Sequence, residues 1–208
     1  MIVITADQRN SRSTPDAAAS AIDDLNRAWG SVLVLPAERT AGDEIQLLAD
    51  SGATALGIAL QLTRTGSWSV GIGSGGVRRP LAGHVRESAG PAFIAARDAV
   101  DRAKRSLTHC AVSADPEHPL AEGIEALIDL LLIQRGRRSP EGWQLHDLLR
   151  SGLSQAEAAA KLGITPQSVS QRARVAGLRV EEAATVALAS LLDDLDAEVD
   201  EDAGSGGS

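Results

Sequence analysis

Apolar positions change their period along the chain, and the changes mark out its elements. The opening run Ile2-Val3-Ile4-Thr5-Ala6 is continuous and β-branched, which predicts a buried strand ending at Asp7. After a polar loop, residues 15–29 carry helical spacing. Ser31-Val32-Leu33-Val34-Leu35-Pro36 reads as a second strand and Glu44-Ile45-Gln46-Leu47-Leu48 as a third, with Gly42-Asp43 in the turn that starts it. Residues 54–63 suit a buried helix, and 68–73 alternate as a fourth strand. Over 90–107, Phe93, Ala96, Val100, Ala103 and Leu107 recur at spacings of three and four, the period of one helical face. The order βαββαβα predicts an α+β domain, a ferredoxin-like, palm-type sandwich with helices on one face of an antiparallel sheet.

Beyond the segment at 111–114 the pattern turns wholly helical. Residues 119–134 are apolar on one side (Leu120, Ile124, Leu127, Ile128, Leu131) and predict a connecting helix, with Arg135-Gly136-Arg137-Arg138-Ser139 as the linker after it. Ser154-Gln155-Ala156-Glu157 reads as a capping box that starts a helix. Gly163 supplies the freedom for a sharp turn, Thr165 the next N-cap and Pro166 the first position of the following helix. Ile164, Val169 and Ala173 would face inward, leaving Gln167, Ser168, Gln171, Arg172 and Arg174 outside. In a last helix Ala184, Leu188, Leu191, Leu195 and Val199 form a stripe, either a homodimer seam or a face packed on the chain's own helix-turn-helix. The expected partition is a palm at 1–116, a connecting helix and linker at 117–138, an all-α DNA-binding domain at 139–180, an acidic helix at 181–202 and a flexible tail at 203–208.

Charge sharpens this picture. The net charge of −8 argues at first against a nucleic-acid partner. Yet residues 137–180 hold seven Arg and Lys against three Asp and Glu, a local +4, whereas nine acids and no basic residue follow from Glu181 onward. No apolar run is long enough for a membrane span and no signal peptide leads the chain, so a cytoplasmic protein is expected. Cys110, the single cysteine, reads as a buried small hydrophobe. His109, His118 and His146 lack the spacing of a zinc site. The run Gly71-Ile72-Gly73-Ser74-Gly75-Gly76 lacks the Lys-Ser/Thr of a phosphate loop and reads as a strand entering a turn, with Arg78, Arg79, His84 and Arg86 beyond it.

Two resemblances follow from these motifs. LSQAEAAAKLGITPQSVSQRARVAGL, about 26 residues, resembles the helix-turn-helix of sigma-factor region four and of response regulators. It implies double-stranded DNA as partner, with Thr165, Gln167, Ser168, Gln171, Arg172 and Arg174 on the interface; glutamine can pair bidentately with adenine, and arginine with guanine or phosphate. ITADQRNSR at 4–12, GDEIQLL at 42–48 and GPAFIAAR at 90–97 resemble the SatD family over most of the chain, and more faintly the class III nucleotide cyclases. That likeness implies Asp7 and Asp43 as Mg²⁺ ligands under a nucleotide, with Arg12 and Arg97 on the nucleotide itself. Read from the residues alone, the two aspartates serve equally as turn-forming carboxylates. Where the cyclases carry an asparagine on the helix after the fourth strand this chain has Ile94, and Arg97 falls one residue early. The expectation is a DNA-binding transcriptional regulator, homodimeric, with a nucleotide-sensing palm; the rival is a Mg²⁺-dependent nucleotidyl cyclase, or a related phosphoryl-transfer enzyme, with an appended DNA-binding module.

Overall fold

The structure, a computed structural model, describes residues 1–11 and 15–205. Its first part alternates β1 (Ile2–Gln8), α1 (Ala18–Trp29), β2 (Leu35–Arg39), β3 (Glu44–Ala49), α2 (Gly52–Leu62), β4 (Trp68–Gly75), α3 (Pro91–Ala103) and β5 (Cys110–Asp115). Helices alone follow: α4 (Pro119–Gly136), α5 (Pro140–Arg150), α6 (Gln155–Leu162), α7 (Pro166–Val175) and α8 (Leu178–Ser205). No helix among the described residues is long and apolar enough to cross a membrane.

The sheet runs β2-β3-β1-β4-β5. β1 is antiparallel to both β3 and β4, β2 is antiparallel to β3, and β5 is parallel to β4. Helix α1 carries the chain from β1 past the β3 position to β2, and α2 carries it from β3 past β1 to β4. These two interleaved βαβ units make β1 the central strand, covered on both faces, which is why its apolar run is unbroken. β5 takes in the segment at 111–114 and makes the sheet mixed, where an antiparallel one was expected.

Successive side chains alternate between faces. Ile2, Ile4, Ile45, Leu47, Val70, Ile72, Cys110 and Val112 share a core with α1, α2, α4 and α8. Val3 and Leu48 point the other way, against Ala92 and Ala96 of α3 and Val85 of the loop before it. Helices thus cover both faces, not one, and the glycines of β4 explain how. Gly71 and Gly73 point at α3, where a Cβ at Gly71 would stand 2.3 Å from Val100 N and one at Gly73 2.1 Å from Ala96 N. With Ala92, Ala96, Ala99 and Ala103 opposite, all buried, the helix backbone rests almost directly on the strand. The glycine run is a packing seam.

Three boundaries differ from expectation. The second strand begins at Leu35, because Val32 N–H and Leu33 N–H both return to the Trp29 carbonyl and keep the chain turning after α1. Pro36 is tolerated there because β2 is an edge strand. Helix α3 stops at Ala103, and Leu107 lies exposed in the turn leading to β5. The segment at 135–139 is not a solvated linker: Arg135 and Arg138 are buried. Helix α8 returns to the sheet unit, burying Leu188, Leu192, Leu195 and Val199 in the same core as α2 and α4. The stripe that suggested a dimer seam is therefore covered by its own chain.

Candidate functional site

Helices α5, α6 and α7 enclose a small core of Leu145, Ala158, Ala159 and Val169, with Ile164 and Ala173 packed against it. Local chemistry sets their ends. Ser154 Oγ accepts from Glu157 N–H (3.3 Å) while Glu157 Oε2 accepts from Ser154 N–H (2.8 Å), the reciprocal capping box. Gly163 ends α6 in the left-handed conformation, φ +66°, with open space around it, so a side chain there is excluded by backbone geometry rather than by crowding. Thr165 Oγ1 then accepts from Ser168 N–H (3.1 Å) and Pro166 opens α7.

The residues expected on the DNA side come together on α7. Thr165, Gln167, Ser168, Gln171 and Arg174 are exposed and Arg172 is half-buried. Arg174 donates to Gln171 Oε1 at 2.7 Å, which braces both side chains. Between α7 and the first turn of α5 runs a groove of about 570 Å³, lined among others by Arg137, Ser139, Gln167, Ser168, Gln171 and Arg172. Glu141 shares it. Hydrogen bonds from its own amide and from Ser139, then the nearby Arg172, hold its carboxyl below the usual range, so it stays ionised beside that guanidinium.

Apart from Glu181 and Glu182 near its start, the acids of α8 lie elsewhere. At 1.5 Å per residue, Asp193 sits about 22 Å along α8 from Leu178, more than two Debye lengths at physiological salt. Three of its carboxylates are also engaged: Asp193 accepts from Gly52 N–H at the start of α2, Asp196 from the Ser74 hydroxyl (2.7 Å) and the Met1 ammonium (2.6 Å), and Glu198 faces His118 Nε2 (3.2 Å).

Where the three-helix unit meets the sheet unit, sequence reasoning missed a charged cluster. Glu181 of α8 accepts from both Arg135 and Arg138, all three buried, and Arg135 also donates to the Leu60 carbonyl of α2 (3.1 Å). Arg64 pairs with Asp147 of α5 (2.7 Å). The Arg64, Arg135 and Arg138 guanidiniums all stand over the Trp143 ring, at 4.2, 4.9 and 4.4 Å from its centroid. His146 packs edge-on to the same ring, and burial first of all pulls its pKa below the ordinary histidine value. An arginine-rich stretch beside a tryptophan was the available signal.

Of the second set of expected residues, Asp7 and Arg97 lie at one end of the sheet, on the face that carries α3. Asp7 pairs across strands with Glu44, one step beyond Thr5 and Gln46, whose side chains are hydrogen-bonded and buried (3.0 Å). Asp43, half-exposed, is the residue before Glu44, just after the turn at Gly42. Arg97 reaches the same end, where it and the Thr40 hydroxyl both donate to Glu44 Oε1 (2.9 and 2.6 Å). Arg12 lies outside the described residues. Ile94 is 58% exposed on α3. Lys104, just past the end of α3, was not anticipated: its Nζ is 3.2 Å from Asp7 Oδ2 and 3.0 Å from Asp101 Oδ1. Partial burial works against its charge, but the hydrogen bonds it donates to Asp101 and Asp7 outweigh it and hold the pKa above the ordinary lysine value. A pocket of about 480 Å³ opens here, lined by Asp7, Arg9, Asn10, Ser69, Lys104 and His109 among others. Among the described residues no group of three or more His, Cys, Asp and Glu is arranged to hold a metal ion. Cys110, buried in β5, has its thiol pKa pushed up to about 12 by burial.

No protein-family model, curated protein or solved structure matches this chain.

Proposed function

We propose that this chain is a DNA-binding transcriptional regulator, in which α6 and α7 act as a helix-turn-helix that lays α7 in the major groove of double-stranded DNA. The observation that carries the reading is the division of α7. Val169 and Ala173 face the small core, while Gln167, Ser168, Gln171 and Arg174 are offered to solvent beside Arg172, just beyond a left-handed glycine turn. Packing three helices together does not require that outer face; reading base edges and phosphates does. The local positive charge and the distance to the acidic stretch of α8 favour it further.

The sheet unit is, on this proposal, a ferredoxin-like, cyclase-like palm that senses a nucleotide effector. The interleaved βαβ connectivity supports the ferredoxin-like reading, and the polar end of the sheet carries Asp7, with Arg97 on Glu44 opposite it and Asp43 next to Glu44 in sequence. Two copies would read half-sites about one helical turn apart, with a seam other than the α8 stripe.

Selection of duplexes from a random library, followed by anisotropy titrations over a range of salt, tests the DNA claim. Arg172→Ala should reduce the slope of log affinity against log salt by about one, as for a lost phosphate contact. Gln171→Ala should relax preference at one base position, by about 1–3 kcal/mol. A double variant that selects and binds the same sequences with unaltered affinity would refute the assignment.

A further inference from the structure

A nucleotide-sensing palm of the kind proposed above implies Mg²⁺ at Asp7 and Asp43, and the residues present can be tested for that fit. Mg²⁺ takes six hard oxygen ligands at close range and gives up its water reluctantly. At this end of the sheet Asp7 and two other carboxylates already hold organic cations. Asp7 and Asp101 converge on the Lys104 ammonium, and Glu44, opposite Asp7, holds the Arg97 guanidinium. The carboxylates that could join Asp7 on a dication are divided between two side-chain cations, and Asp43 is not among the residues lining the pocket with Asp7.

We propose that the Lys104 ammonium is the resident cation of this pocket, standing where a divalent metal would meet Asp7, and that any phosphorylated ligand of the pocket binds without metal. The position of Lys104 follows from the glycine seam. Gly71 and Gly73 let α3 settle onto β4, which brings the end of that helix over the β1 end carrying Asp7. The carbonyl end of α3 adds negative partial charge that favours a cation there. Lys104 is tethered to the site by its own stem, so holding it forfeits no translational freedom, whereas a metal must first be desolvated and must then expel it. The claim about metal stands on this geometry; the claim about ligand rests on the nucleotide-sensing reading.

Mn²⁺ is the probe for the first claim, followed by the paramagnetic signal of the free ion in titrations of the full chain. Wild type should show no Mn²⁺ binding that Asp7→Asn removes; binding that Asp7→Asn leaves unchanged belongs to carboxylates elsewhere and agrees with the proposal. Lys104→Met, which keeps the stem and deletes the charge, should tighten Mn²⁺ binding by about tenfold or more, the equivalent of about 1.4 kcal/mol, and adding Asp7→Asn should cancel the gain. Wild-type binding abolished by Asp7→Asn, or a folded Lys104→Met that gains nothing, overturns the proposal. The wild-type and Asp7→Asn comparison decides the matter even where Lys104→Met fails to fold. ATP and GTP titrations with Mg²⁺ or with chelator address the second claim. Equal affinity in both supports it, and binding that needs Mg²⁺ and Asp7 overturns it. If neither nucleotide binds at millimolar concentration, the sensing reading falls and the metal result stands unaffected.

Discussion

Adding one methyl group at Gly73 tests the seam between β4 and α3. The new Cβ would lie 2.1 Å from Ala96 N, 2.5 Å from Ala92 O and 2.6 Å from Ala96 Cα, all helix atoms that no rotamer change can move. Ordinary carbon contacts lie at about 3.5–4 Å, so α3 must retreat by more than about 1 Å, and a gap of only about 0.5–1 Å already forfeits a quarter to a half of each dispersion contact along the seam. Overpacking typically costs about 1–3 kcal/mol, and α3 is a principal cover of this face, so we take the upper end, about 3 kcal/mol for Gly73→Ala. In a chain of this size each kcal/mol moves the thermal midpoint by about 2–4 °C, giving a fall of roughly 6–12 °C. Gly76→Ala is the control: its Cβ would meet only the Pro91 ring, at 3.9 Å. Thermal melts followed by far-ultraviolet circular dichroism and by tryptophan emission, Trp68 being buried in β4, compare the two variants. A Gly73→Ala midpoint equal to those of wild type and Gly76→Ala would refute the close seating of α3.

Two further outcomes follow from the charged cluster. Glu181→Gln leaves the buried Arg135 and Arg138 with no anionic partner, which should destabilise the fold by about 3–5 kcal/mol in urea melts; a loss under about 1 kcal/mol would mean that Trp143 and the Leu60 carbonyl suffice. His146 has a folded pKa below its unfolded value of about 6.5. The unfolded chain therefore takes the proton first, and the stability present above that value is lost as pH falls through it toward the folded pKa. Between pH 7 and 6 the midpoint of wild type should drop more than that of His146→Gln, and parallel curves would sink the argument.

What could be read from the sequence depended on how far apart the partners lie. The capping box at Ser154 and Glu157, the Gly163 turn and the Thr165 cap all act within four residues, so composition and spacing were sufficient. Inward Val169 and outward Gln171 followed from a single helical period. Periodicity also showed that Leu188 and Leu195 face something apolar, but not that α2 and α4 supply it. The glycines of β4 were legible as a strand entering a turn, but not as a packing seam, because that role depends on Ala92 and Ala96, about twenty residues on. Nothing near Asp7 announces Lys104, and nothing near Arg138 announces Glu181. Such pairs exist only once the fold has closed.

Helices α4 and α8 meet where the three-helix unit begins and ends: Gln134 Nε2 and Arg138 Nε both donate to the Ala176 carbonyl, at 3.1 and 3.2 Å. Once those helices are docked on the sheet, the forty or so residues between them form a closed ring. Closing a loop of that length removes entropy from its unfolded form worth about 4 kcal/mol, by the same relation that describes a covalent cross-link. A unit whose buried core amounts to Leu145, Ala158, Ala159 and Val169 gains this without a disulfide, which a chain with one cysteine cannot form within itself. The order of this small domain is thus underwritten by the larger one, through the narrowing of its own disordered alternatives.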